Sequence, residues 1–104
     1  MKIDTYWSII PSVEIIEISA LAGYNAVLID MEHGPYSFPE IRTGVSVAQG
    51  NNIKAFIRPA SKSSRELLSC LETGADGLMI PHVSTRAEME GIVDSVFYSP
   101  IGNR

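Results

Sequence analysis

The chain has 104 residues, 45% of them hydrophobic and 19% charged, and carries a formal net charge of −4. That length and balance fit one small globular domain rather than two. Its lysines and arginines are scattered, which argues against a nucleic-acid or anionic-membrane surface, since both need concentrated positive charge.

Read from the N-terminus, MKIDTYWSII places Lys2 and Asp4 where a signal peptide needs an unbroken apolar core. No later run approaches membrane-spanning length, so the cytoplasm is the expected compartment. Ile3–Ile10 reads as a first strand. Pro11 or Ser12 opens a helix over Val13–Leu21, with Val13, Ile16 and Ala20 on one face and Gly23 as the stop. Ala26–Ile29 is a continuous apolar run, as expected of a parallel strand buried on both faces. The capping box Ser37-Phe38-Pro39-Glu40 leads into a helix carrying Ile41, Val45 and Ala48. A third strand follows at Ile53–Ile57. A second box, Ser63-Ser64-Arg65-Glu66, starts a helix with Leu67, Leu68 and Leu71 that Gly74 ends. Within it, the single cysteine, Cys70, reads as a small core residue; the chain offers no disulfide and no Cys/His metal spacing. Gly77–Ile80 is the fourth strand, and the box Thr85-Arg86-Ala87-Glu88 precedes a helix with Met89, Ile92, Val93 and Val96 on one face.

The order is βαβαβαβα, with strand centres near Thr5, Leu28, Ala55 and Met79. "LAGYNAVLID" (Leu21–Asp30) is echoed by "ETGADGLMIP" (Glu72–Pro81), two βα units later. Repeats of about 25–30 residues are the building unit of a (β/α)8 barrel, of which four make half. The expected fold class is therefore α/β, with residues 1–104 forming the N-terminal half of a TIM barrel that stops before a fifth strand. A small doubly wound sheet is the competing topology. Its usual glycine-rich first loop is missing, because Ile9-Ile10-Pro11-Ser12 stands there.

In either topology, function gathers at the C-terminal ends of the strands. Those ends carry Trp7-Ser8, Asp30-Met31-Glu32-His33, Arg58-Pro59 and Pro81-His82. Each has a plainer reading beside the functional one. Trp7 can be packing, Arg58 can simply pair with Asp30 or Glu32, and His82 reads as structural rather than as a base. Arg42, Lys54, Lys62, Arg65 and Arg86 read as solvated charges, Tyr24 and Tyr36 as packing. Asp30, Glu32 and His33 cannot form a three-ligand metal cage on an extended strand, because neighbouring side chains point to opposite faces. A histidine beside carboxylates suits a general base at neutral pH. An arginine suits a carboxylate or a developing enolate oxygen. Together they are equipment for making an enolate from a 2-oxo acid. No lysine ends a strand to form a Schiff base, so the electrophile would be a metal ion.

With these residues in place, the chain resembles the HpcH/HpaI aldolase family. The resemblance is carried by the strand with Trp7, "AGYNAVLIDMEHGP" (Ala22–Pro35), "IRP" (Ile57–Pro59), "LETGADGLMIPHVST" (Leu71–Thr85) and "YSPIGNR" (Tyr98–Arg104). It implies a TIM-type barrel and a carbon–carbon lyase that reversibly cleaves 4-hydroxy-2-oxo acids to pyruvate and an aldehyde. By the same resemblance His33 is the base on the substrate hydroxyl, through water, and Arg58 binds the oxo acid and stabilises the enolate. Asp30 and Glu32 would support the base or the water shell of a divalent metal (Mg²⁺, Mn²⁺ or Co²⁺), while Trp7 and Pro81 would line the substrate. The family's metal-binding Glu and Asp belong to the fifth and sixth strands, beyond Arg104, so residues 1–104 alone are expected to be inactive. Two positions depart from the family pattern. Glu72 replaces the aspartate associated with orienting the base, and it ends the third helix, so a neighbouring subunit would have to bring it to His33. Tyr98-Ser99-Pro100 replaces Tyr-Pro-Pro. A small 2-oxo acid is the expected partner, with self-association through open strand edges. The alternatives are a non-catalytic, self-associating half-barrel and a small open α/β ligand-binding module.

Overall fold

A computed structural model describes residues 2–104. It contains β1 (Thr5–Ser8), α1 (Val13–Leu21), β2 (Ala26–Asp30), α2 (Phe38–Gly50), β3 (Lys54–Arg58), α3 (Ser64–Leu71), β4 (Gly77–Leu78) and α4 (Arg86–Val96). All strand pairs are parallel and the sheet order is β1-β2-β3-β4. That order decides between the two topologies. A doubly wound sheet reverses direction at a switch point, whereas each strand here is laid beside its predecessor, as in consecutive units of a (β/α)8 barrel.

Every residue of β2 is buried, as its unbroken apolar run requires. Val27 and Ile29 of β2, with Ala55 and Ile57 of β3, face the helices and meet Ile16, Ile41, Val45, Ala48 and Cys70 in one core. Burial pushes the Cys70 thiol up to about 12, with Glu66 adding a smaller effect, as suits a packing residue. On the other face the register aligns Trp7, Leu28, Phe56 and Gly77 in one row. Gly77 belongs there for a steric reason: a Cβ would stand 3.0 Å from Cδ1 of the Phe56 ring.

The expected elements are found in order, with four differences. First, β1 is limited to Thr5–Ser8 rather than Ile3–Ile10. Second, β4 pairs only over Gly77–Leu78 rather than Gly77–Ile80, because β3 is its one partner and the chain turns away at Pro81-His82. Third, only Ser37 and Glu40 form a reciprocal capping box. Ser63 and Thr85 cap their helices, but the Glu66 carboxylate turns to the Ser61 hydroxyl and that of Glu88 to Lys62, Ser84 and Thr85. Fourth, no residue of α4 is fully buried, and its apolar side borders a groove of about 480 Å³ at the free edge of β4, lined by Leu78, Ile80, Met89, Val93, Val96 and Phe97. Among the described residues no helix is long and apolar enough to cross a membrane.

Candidate active site

Asp30 is the last residue of β2, 1% exposed, and register places it beside Arg58, the last residue of β3. Its Oδ1 accepts hydrogen bonds from Arg58 Nε (3.0 Å) and from the backbone N–H groups of Glu32 (2.9 Å) and His33 (3.1 Å). Its Oδ2 accepts from Arg58 Nη2 (2.6 Å) and from the Trp7 indole Nε1 (3.0 Å). The two backbone donors wrap the chain around the carboxylate as an Asx turn. Gly34 closes that turn by donating to the Asp30 carbonyl at 3.1 Å, so near that a Cβ at position 34 would collide with the oxygen. Thus a strand end, a turn and a glycine fix where Glu32 and His33 emerge.

Burial alone raises the Asp30 pKa. The donors outweigh it: Arg58 first, then Trp7 and the two backbone N–H groups hold the carboxyl well below the usual carboxylate range. The same hydrogen bonds, donated to Asp30, raise the Arg58 pKa. Beyond Asp30, Arg58 reaches Glu32 (Nη1 to Oε1, 3.3 Å) and lies over the Trp7 ring, 4.9 Å from its centroid. The plainer reading of Arg58, pairing with Asp30 or Glu32, therefore describes real contacts, and it pairs with both.

Glu32 in turn lies between two imidazoles. Its Oε1 is 3.3 Å from His33 Nε2 and its Oε2 is 2.9 Å from His82 Nε2. Both rings are largely exposed, whereas Glu32 is largely covered. His33, Arg58, Asp30, Glu32 and Trp7 thus converge on one rim, and Pro81, in the turn after β4, is buried. Glu72 is not brought to them. It is the exposed C-cap of α3, at the opposite end of the strands.

The sequence left His82 at the margin of this group and read Lys62 as solvated. In the fold Lys62 Nζ donates to the His82 carbonyl (2.8 Å) and to Glu88 (2.6 Å), pinning the β4–α4 loop. The one available signal was positional: His82 directly follows a strand-end proline. Tyr36, read as packing, is buried with its hydroxyl bonded to Ser8 (2.5 Å) and to the Ile10 carbonyl (2.8 Å), tying the loops after β1 and β2 together.

Residues 5–104 match the family model described as HpcH/HpaI aldolase/citrate lyase. A hydroxypyruvate/pyruvate aldolase of Rhizorhabdus wittichii is 31% identical over 98 residues, 94% of this chain and 39% of that protein. A 4-hydroxy-2-oxovalerate aldolase of Novosphingobium aromaticivorans is 33% identical over 100 residues, 95% of this chain and 38% of its own length. The chain thus spans about two-fifths of these curated relatives. Among solved structures, an HpcH/HpaI aldolase from Desulfitobacterium hafniense superposes with a TM-score of 0.87 at 32% identity, covering 96% of this chain and 39% of that one. The citrate synthase SbnG gives 0.91 at 31% identity, covering 96% and 41%. The four βα units correspond to the N-terminal half of such a barrel.

Proposed function

The chain belongs to the HpcH/HpaI aldolase/citrate lyase family, and from that premise we propose that its strand-end cluster serves the reversible aldol cleavage of 4-hydroxy-2-oxo acids to pyruvate and an aldehyde. The observation that carries this reading is the way Arg58 is presented. Two of its five N–H groups donate to Asp30, and Nη1 stands 3.3 Å from Glu32 Oε1 as an ion pair. Its other N–H groups make no hydrogen bond among the described residues and are available to a ligand, on the rim that also carries the exposed His33. Such a held guanidinium binds the planar carboxylate and oxo group of the acid and meets the charge that grows on the enolate oxygen. His33 takes the proton of the C4 hydroxyl through a water, the C3–C4 bond breaks to release the aldehyde, its electron pair becomes the enolate, and protonation at C3 gives pyruvate. Asp30 holds Arg58 still, and Trp7 supports it from below.

A divalent cation, Mg²⁺, Mn²⁺ or Co²⁺, is part of what the resemblance implies, yet the described residues do not fit one. No three His, Cys, Asp or Glu side chains among them are spaced to hold an ion. Both Asp30 oxygens are already filled by donors. The proposal accordingly assigns the cation no ligand here, and residues 2–104 by themselves are proposed to lack turnover.

The test uses an eight-stranded barrel carrying this segment, assayed for cleavage of a 4-hydroxy-2-oxo acid. Arg58→Ala is expected to raise KM and to cost about 2–4 kcal/mol in kcat/KM. His33→Ala is expected to leave pyruvate affinity near normal while kcat falls about 10²–10⁴-fold. Wild-type cleavage by His33→Ala would reduce the cluster to a polar loop.

A further inference from the structure

The shortest contact the Glu32 side chain makes is with a residue 50 positions away: His82 Nε2 to Glu32 Oε2 at 2.9 Å. Its two other side-chain contacts, to His33 and Arg58, are both 3.3 Å and both fall on Oε1. Oε2 has no other partner among the described residues. The loop that delivers His82 is arranged for that contact. His82 has φ 57°, a left-handed conformation uncommon for any residue but glycine, though histidine enters it more often than most. Lys62 Nζ, itself held by Glu88, fastens the His82 carbonyl. With its side chain 77% exposed, His82 is not held in that conformation by burial. Observed strain of this kind points to a role for the side chain it presents.

We propose that His82 is a positioning residue: by gripping Oε2 of Glu32 from the β4–α4 loop, it fixes that carboxylate with Oε1 toward His33 and Arg58, and so orients the imidazole of His33. The role rests on the reading of His33 as the base; the coupling between the two rings does not. The charged groups around the pair are Glu32 from the loop after β2, Arg58 from β3, Lys62 from the loop after β3 and Glu88 from α4. Without His82, Glu32 has two long contacts on one oxygen, and its carboxylate is free to rotate away from His33.

His33 and His82 are the only histidines and Trp7 the only tryptophan, so nitrogen-15 imidazole and indole spectra of the chain contain two rings and one indole. In the wild type both neutral rings are expected to carry the proton on Nε2, the atom facing Glu32. His82→Gly relieves the left-handed backbone, so stability should hold or rise. The His33 resonances should nevertheless shift by more than their line widths, with the Nδ1–H tautomer gaining population. The Trp7 indole signal should stay in place, reporting an intact Asp30 cluster. His82→Gln keeps an N–H donor and should return His33 toward its wild-type spectrum. An unchanged His33 spectrum in His82→Gly overturns the proposal. So does a Trp7 signal displaced in both variants, which would make the loop merely structural. Full turnover by His33→Ala in the eight-stranded barrel sinks the base reading without touching this coupling.

Discussion

Asp30 accepts five hydrogen bonds at the rim, so its protonation costs stability. Its folded pKa lies below the ordinary 3.8 because the donors outweigh the upward push of burial. A carboxyl depressed on folding adds stability that is complete above its unfolded pKa, about 4, and is lost as pH falls from there toward the folded value. Urea unfolding is therefore expected to show a midpoint that drops steeply below about pH 4. In Asp30→Asn that part of the slope should vanish, at a cost approaching about 3–5 kcal/mol at pH 7, because the pair with Arg58 is broken from one side. An unchanged slope in Asp30→Asn would place the acid sensitivity elsewhere. The partnership was legible in the sequence, since both residues end neighbouring strands where side chains are forced together. The bond between His82 and Glu32 was not, because it depends on a left-handed φ that a bare histidine in a sequence does not advertise.

At the scale of elements, capping residues and apolar runs located every helix and strand, while boundaries shifted where a partner was missing. β2, with a neighbour on each side, was read to within one residue. β4, with one neighbour, shrank to Gly77–Leu78. The turn after β2 is the most sterically demanding connection at the site. A Cβ at Gly34 would meet the Asp30 carbonyl and lie 3.2 Å from Ile9 Cα, both backbone atoms that a rotamer change cannot move. Gly34→Ala is expected to destabilise by about 1–3 kcal/mol, as overpacking does. It should also displace Glu32 and His33 together, since both hang from the same turn. Thermal unfolding gives the first effect and the two imidazole spectra the second. A stable variant with unmoved histidines would show that the turn has slack.

On the scale of the whole molecule, β1 and β4 each have a single neighbour in the sheet. Ile9, Ile10, Ile18 and Leu21, around β1 and α1, expose at least half of their surface, as does Ile101 beyond α4, and Met79, Met89 and Phe97 expose nearly as much. Open edges flanked by apolar helices favour pairing with other chains. The chain is accordingly expected to associate as concentration rises. In light scattering a mass that climbs between micromolar and submillimolar protein would agree, and a constant mass of 11.3 kDa would not. The half-barrel class was readable from the βα period and from the missing glycine-rich first loop. The consecutive strand order needed the fold itself, because the period alone does not say on which side each strand is laid.

The Asp30 cluster has a consequence for how the sheet avoids misassembly. Side chains alternate along a strand with a period of two, so a slip by two residues returns every apolar group to its proper face. Hydrophobic burial is nearly blind to such a slip. Trp7, Asp30 and Arg58 come from three adjacent strands and meet at a single carboxylate. Moving any one strand by two residues, about 6.6 Å, pulls a donor out of reach and leaves a covered charge without its partner. The same grouping at the rim thus distinguishes the correct alignment of β1, β2 and β3 from its nearest imitation.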